Sequence, residues 1–237
     1  MLHVCRDVEF VNSVMNHPEV RPFIGPGPDE LDLAAFMAEP RNIVLANEDG
    51  CFLFHWYMNG VYEVHTNFLP QGRGRKSLAA AQAAAHWMFT KTDCTEILTK
   101  IIASNAAAVW LTEKMRFRHL FDSPRAGWGE VRYYRMGFHE WVAGDKELPG
   151  RGHWFHTRLE EERGSAPGHD EDSVHDQYVG ATVEMILAGN LQKAQLLYNS
   201  WAMLAGYAQL QILSMDPLRL HIGDGEITVQ DGTFFHR

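Results

Sequence analysis

Hydrophobic positions along the first half of the chain mark out helix, then strands, then helix again. Phe10, Val11, Val14 and Met15 recur at helical spacing behind Asp7, which predicts an Asp7-capped helix after the short apolar stretch Leu2–Cys5. Pro18 and Pro22 end it, residues 26–32 read as loop, and Leu33–Ala38 reads as a second short helix. Ile43–Ala46 and Cys51–Tyr57 then flank the turn Asn47-Glu48-Asp49-Gly50, and Val61–Leu69 alternates after Asn59-Gly60. That is a meander of three antiparallel strands. Ser77–Thr90 is Ala-rich without Pro or Gly and is predicted to be a long helix. Ile97–Ile102 is nearly continuous and apolar, the pattern of a strand buried on both faces. Asn105 or Ser104 caps a further helix, Ala106–Met115, and Val131–Trp141 supplies a later strand.

Residues 144–176 change character, with Gly, Pro and charge replacing periodicity, as in Glu160-Glu161-Glu162-Arg163. A linker is predicted over 144–172 between a first domain, 1–143, and a small C-terminal module, 173–237. That module reads as a helix pair, about Ser173–Ala188 and Gln192–Ala205, broken at Gly189-Asn190. Two short strands follow, Gln209–Ser214 and Leu218–Val229, the latter with a turn at Gly223-Asp224-Gly225. Met185, Ile186, Leu196, Leu197, Trp201 and Leu204 fall at helical spacings and predict a small core. A module of this size supports little core of its own, so docking on a neighbour or self-association is expected. The expected class is α+β: a mixed, mostly antiparallel sheet flanked by helices, followed by the helix-pair and β-hairpin module.

Composition narrows the partners. The 237 residues are 46% hydrophobic and 22% charged, and the formal net charge is -9. This balance suits a folded chain, and the negative charge gives no general nucleic-acid or anionic-membrane signal. Cys5, Cys51 and Cys94 are odd in number and widely spaced, which suits buried thiols in a reducing compartment. No apolar run reaches membrane-spanning length and no leader pattern opens the chain, so a soluble, cytoplasmically made protein is expected. His153, His156, His169 and His175 invite a zinc reading, but the pairs lack a confident helix and a third ligand; no metal site is expected.

The segment richest in chemistry is Gln71-Gly72-Arg73-Gly74-Arg75-Lys76, between a strand and a helix. Glycines there allow close backbone approach, and the helix N-terminus offers amides and positive potential to a phosphate. Arg73, Arg75 and Lys76 would add phosphate contacts. The same six residues also fit a plain strand-to-helix turn with solvated basic side chains.

Strand, Gln-Gly-Arg-Gly, long helix, buried strand and an Asn-x-x-Ala helix ending in Phe117 together resemble the core of the GNAT N-acetyltransferases over residues 1–121. Gln71 and Gly74 match the family's acyl-CoA loop, Gln/Arg-x-x-Gly-x-Gly/Ala, whereas Lys76 stands at the last, small position. Val64-His65 resembles a family Val-His-Pro, and Asn105, Ala108 and Phe117 resemble Asn-x-x-Ala…Gly-Phe with Arg116 in place of Gly. The resemblance implies acetyl-CoA as cofactor, held by Gln71, Gly72, Arg73, Gly74, Arg75, Lys76 and Asn105. It places Glu63 as catalytic base, with His65 able to substitute, and it puts Thr112 where the family often carries a tyrosine acid. Asn16–Pro22, Tyr62–Thr66 and Trp87–Thr90 further resemble GNAT-like proteins of tailed bacteriophages, as do stretches of the C-terminal module. That resemblance implies a virion or assembly component, weakly or not catalytic, partnered by other phage structural proteins. It would be made in the bacterial host cytoplasm and incorporated in the particle. The alternative is an active acetyl-CoA-dependent N-acetyltransferase.

Overall fold

A computed structural model of the chain describes residues 1–25, 27, 29–143, 170–205, 207–223, 225–230 and 233–236. Contacts divide it into two units, Met1–Phe89 with Asp93–Gly137, and Thr90–Thr92 with Phe138–Arg237.

The first unit begins with β1 (His3–Val4) and α1 (Val8–Met15). The Asp7 carboxylate accepts from the Phe10 amide at 2.9 Å, so the cap read from sequence is made. α2 (Ala34–Ala38) leads to the meander β2 (Ile43–Asn47), β3 (Gly50–Met58) and β4 (Val61–Phe68). α3 (Arg75–Lys91), β5 (Glu96–Ile102) and α4 (Ala106–Lys114) follow, and β6 (Arg118–Arg125) and β7 (Gly129–Gly137) close the unit. The strands form one seven-stranded sheet in the order β1-β2-β3-β4-β5-β7-β6. Only β4 and β5 pair in parallel.

Period-two alternation sends the strands' side chains to two different layers. Cys51 and Leu53 of β3 join Val11, Val14 and Met15 of α1 in one core cluster. On the other face, Phe52, Phe54, Val64 and Thr66 meet Ala81, Ala84 and Ala85 of α3 around a small cavity. In α3 the buried set Ala80, Ala81, Ala84, Ala85, Met88 and Phe89 recurs at helical spacing. Its alanines let the helix lie close to the sheet.

The second unit holds α5 (Phe138–Ala143), α6 (Asp170–Leu187) and α7 (Leu191–Ala205) with a four-stranded antiparallel sheet. Its strands are β8 (Gln211–Met215), β9 (Leu218–Ile222), β10 (Gly225–Gln230) and β11 (Thr233–His236), ordered β11-β10-β9-β8. Gly189, at φ +84, turns the chain between α6 and α7 as the Gly189-Asn190 break predicted. An aromatic stack fills this unit: Tyr178 lies on Trp201 at 4.1 Å, and Tyr207 stacks on Trp201 and His175.

The structure departs from the sequence pattern in five places. β5 is fully buried only on the face of Ile97 and Ile101, and its other residues are half-buried, because part of one edge borders a cleft. β6 was not legible, since nearly all of it is exposed and carries no alternation. The strand expected over Val131–Trp141 stops at Gly137, and Phe138, Trp141 and Val142 are instead buried at helical spacing in α5. The expected C-terminal hairpin is a four-strand sheet, with Leu218–Val229 folded into β9 and β10. Of the small core set, Met185, Ile186 and Leu197 are buried, but Leu196 is exposed. Most of the expected linker, 144–169, and with it His153, His156 and His169, lies outside the described residues; 170–172 open α6.

Phe52 is 2% exposed and packs its ring edge-on to Phe68 and beside Phe54. Phe52→Ala should lower the stability of the first unit by about 3–5 kcal/mol, read as a lower urea midpoint.

Candidate functional site

The site forms where two neighbouring strands part. β4 and β5 pair through only three residues, Val61–Glu96, Tyr62–Ile97 and Glu63–Leu98. Beyond them β4 stays on β3 as far as Phe68, and β5 stays on β7 through Ile102. Each strand keeps one partner, so the sheet opens into a fork. Thr99 Oγ1 donates to the Val64 carbonyl at 3.0 Å close to the split. The other fork-facing backbone groups of residues 64–68 have no strand opposite them.

A cleft of about 450 Å³ occupies the fork. β4 contributes Val64–Phe68, β5 contributes Thr99–Ile102, and the first turns of α4 supply Asn105, Ala108 and Thr112. Arg73, Gly74 and Ser77 close one end, while Glu19, Phe23, Ile24, Trp110 and Trp128 form the outer rim. The volume lies within the range of small-molecule sites.

At the α3 end the two glycines do different work. A Cβ on Gly72 would lie 2.5 Å from Asp49 Cβ, so its missing side chain lets the loop pack on the β2–β3 turn. Gly74 has φ +71 and open space where a Cβ would stand. Its carbonyl accepts from Leu78 N and Ser77 Oγ, which starts α3 and leaves the first-turn amides without intrahelical acceptors. These amides and the helix dipole make an anion cradle beside the cleft.

The basic residues of the loop are differently engaged. Arg73 Nε donates to the Phe68 carbonyl and Nη2 to the Glu19 carbonyl, so this side chain ties the loop to the segment after α1. Lys76 lies 3.4 Å from the Asp49 carboxylate, directed to the β2–β3 turn, and does not line the cleft. Gln71 and Arg75 are exposed outside it. Asn105 caps α4 by accepting from Ala108 N at 3.1 Å while its side chain borders the cleft. Arg116, where glycine was noted as usual, adopts φ +61 just past the end of α4, the left-handed conformation that explains a glycine there.

Glu63 and His65 project from one face of β4 and come together. Glu63 Oε1 is 3.3 Å from His65 Nε2 and 2.8 Å from Lys100 Nζ. His65 and Lys100 line the cleft; Glu63 sits behind them. Burial lowers the His65 pKa below its ordinary value; Glu63 opposes this, and Lys100 and His55 add to it. The lowered pKa favours the neutral imidazole, the form able to take a proton. Thr112 lines the cleft at the position of the expected acid, and its hydroxyl cannot supply a proton at neutral pH. Lys100 was missed from sequence, although a lysine inside Ile97–Ile102 was its signal. Trp128 was also missed, since it is brought to the rim by the β6–β7 turn, where its ring occupies the space a Cβ on Gly25 would need.

Among the described residues no group of three His, Cys, Asp or Glu side chains could hold a metal ion. His175 stacks on Tyr207 and Trp201 and lies 3.4 Å from the Tyr198 hydroxyl. Cys5, Cys51 and Cys94 are buried and outside any disulfide, and burial pushes the Cys51 thiol pKa up to about 12. No described helix is long and apolar enough to cross a membrane.

Among solved structures the chain is similar to a spermidine N-acetyltransferase from Vibrio cholerae in complex with CoA and spermine. The match is 14% identical, covers 60% of this chain and 97% of that one, and has a TM-score of 0.51. Over that part of the chain the fold is that of the GNAT acetyltransferases. A GNAT-family acetyltransferase from Bacillus anthracis is also similar, 21% identical over 57% of this chain and 94% of that one, with a TM-score of 0.46. So is yncA from Salmonella typhimurium with its cofactor acetyl-CoA, 18% identical over 63% and 96%, with a TM-score of 0.47. At these identities the likeness is one of fold. No protein-family model and no curated protein matches the chain. On the GNAT fold seen here, the fork, the glycine turn and the start of α4 surround one cleft.

The glycines separate folding from binding. Gly72→Ala should destabilise the first unit and lower its melting temperature. Gly74→Ala should cost about 1–2 kcal/mol from its left-handed backbone alone. It should also weaken binding of CoA, measured by calorimetry, because its new Cβ enters the open space.

Proposed function

We propose that the first unit is an acetyl-CoA-dependent N-acetyltransferase. The observation that carries this reading is the fork between β4 and β5, with an anion cradle at one end and a neutral histidine on its wall. The cradle fits the pyrophosphate of acetyl-CoA, since Gly74 leaves open the space beside the first-turn amides of α3. Lys76, which departs from the small residue of the family loop, pairs with Asp49 and leaves that approach clear. The backbone edge of residues 64–68, which has no strand opposite it, suits an extended, amide-bearing arm, as an added strand would be held.

Bound acetyl-CoA supplies an acyl thioester. The chain's part is to hold the acceptor amine in the fork and take its proton at His65. Glu63, 3.3 Å from His65 Nε2, orients the imidazole. His65 thus takes the role expected of a base, and Glu63 acts through it. Trp110, Trp128 and Phe23 give the acceptor an apolar, aromatic approach.

Calorimetric titration of the full chain with acetyl-CoA should give a dissociation constant in the micromolar range; a millimolar or absent affinity overturns the proposal. In a panel of primary amines followed by thiol release, His65→Ala should lower kcat by about 10²–10⁴-fold with acetyl-CoA affinity retained. Because the His65 pKa is lowered, wild-type activity should persist below pH 6.5 and fall as the imidazole takes up its proton.

A second reading, a bacteriophage virion or assembly component, rests on the sequence resemblance and on one observation. Leu196 and Met203, seven residues apart on one face of α7, are 68% and 69% exposed. This face would serve self-association or other structural proteins. Light scattering should then show an oligomer that Leu196→Glu with Met203→Glu reduces to a monomer, and mass spectrometry of purified particles should find the chain.

A further inference from the structure

Acyl transfer leaves a thiolate behind, and Thr112 cannot protonate or neutralise it. We infer that Lys100 fills this place, its ammonium facing the sulfur of CoA across the fork and holding it as the thiolate. The inference rests on the acetyltransferase reading of the same cleft.

Lys100 is the charged residue within a strand whose other charge, Glu96, stands at its first position and pairs with Arg135 at 2.6 Å. Its side chain is 28% exposed and lines the cleft on the β5 wall, opposite His65 on the β4 wall. Glu63 Oε1, 2.8 Å from Nζ, holds the ammonium from behind. The contact with Glu63 Oε1 is an ion pair and not a hydrogen bond of good geometry, and an ammonium carries three donors with which to meet an acceptor in the cleft. A cation kept in this position without solvent reorganisation stabilises negative charge as it develops.

Other charged and titratable groups flank the fork. Glu63 and His65 lie on β4, His55 lies on β3 beside His65, and Glu19 and Arg73 stand at the rim. Arg73 donates from Nε to the Phe68 carbonyl and from Nη2 to the Glu19 carbonyl, which hold its charge at the loop. Lys100 is thus the cation at the split itself.

The step balances. The amine nitrogen bonds to the acyl carbon as the carbon–sulfur bond breaks, and that bond's electron pair goes to sulfur. The amine's surplus proton goes to His65. The sulfur departs as a thiolate beside Lys100 and takes up a proton on release. His65 and Lys100 therefore divide base and counter-charge between the two strands.

The test needs no acceptor. CoA bound to the full chain is titrated with pH while the ultraviolet absorbance of its thiolate is followed, with free CoA as reference. The wild type should lower the thiol pKa by roughly 1–3 units, the shift given by a close opposite charge. Lys100→Arg should keep most of that shift. Lys100→Met should abolish it while calorimetry still shows acetyl-CoA bound; Lys100→Gln serves where the methionine variant does not fold. A bound thiol that titrates like free CoA, or an equal shift in the wild type and the Met or Gln variant, overturns the role of Lys100 and leaves the acetyltransferase reading standing. Failure of the wild type to bind acetyl-CoA overturns both.

Discussion

The parting of β4 and β5 after three residue pairs is the constraint on which the first unit's site depends. A central strand normally has both backbone edges satisfied by neighbours, and an unmet buried group is costly. Here β3 and β7 hold the two strands from outside, so the fork stays open without unravelling the sheet. The opening exposes backbone edges, creates the cleft, and sets His65 and Lys100 on facing walls. The single parallel pairing also explains the long crossover through α3, since parallel neighbours cannot be joined by a tight turn. That crossover places a helix N-terminus at the mouth of the fork.

The glycine turn acquires its meaning from the same geometry. Gly72 seats the loop on the β2–β3 turn, and Asp49 anchors it further through the Leu69 amide and Lys76. Only Gly74 faces open space. Charge near a helix N-terminus reads as phosphate contact in a sequence, yet two of the three basic side chains are consumed by the scaffold: Arg73 by backbone carbonyls and Lys76 by Asp49. What is left for an anion is backbone.

The second unit is held by different means. Its aromatic stack of Tyr178, Trp201, Tyr207 and His175 concentrates large buried area in few residues, which suits a small core. The same helix that buries Leu197 and Tyr198 presents Leu196 and Met203 outward, so α7 has two apolar faces and one core.

Local features were legible because they depend on neighbours in the chain. The Asp7 and Asn105 caps, the hairpin turn at Asn47–Gly50, the alanine helix and the Gly189 break follow from spacing and propensity, and each is present. β6 escaped because an exposed edge strand needs no alternation, and α5 escaped because Phe138, Trp141 and Val142 also fit a strand's continuation. In the site, Glu63 and His65 could be placed together by their two-residue spacing along one strand. Lys100 could not be joined to them, since its 2.8 Å approach to Glu63 is made across a strand pair closed by a 17-residue helix. The destination of Lys76 was equally hidden, because Asp49 lies on a turn far back in the chain. The sequence by itself determined the caps and most of the elements, which are governed by contacts within a few residues, and the fold class through the order in which those elements follow. Only the tertiary structure decided where the sheet opens and which charges meet there, because those depend on strands that become neighbours through folding.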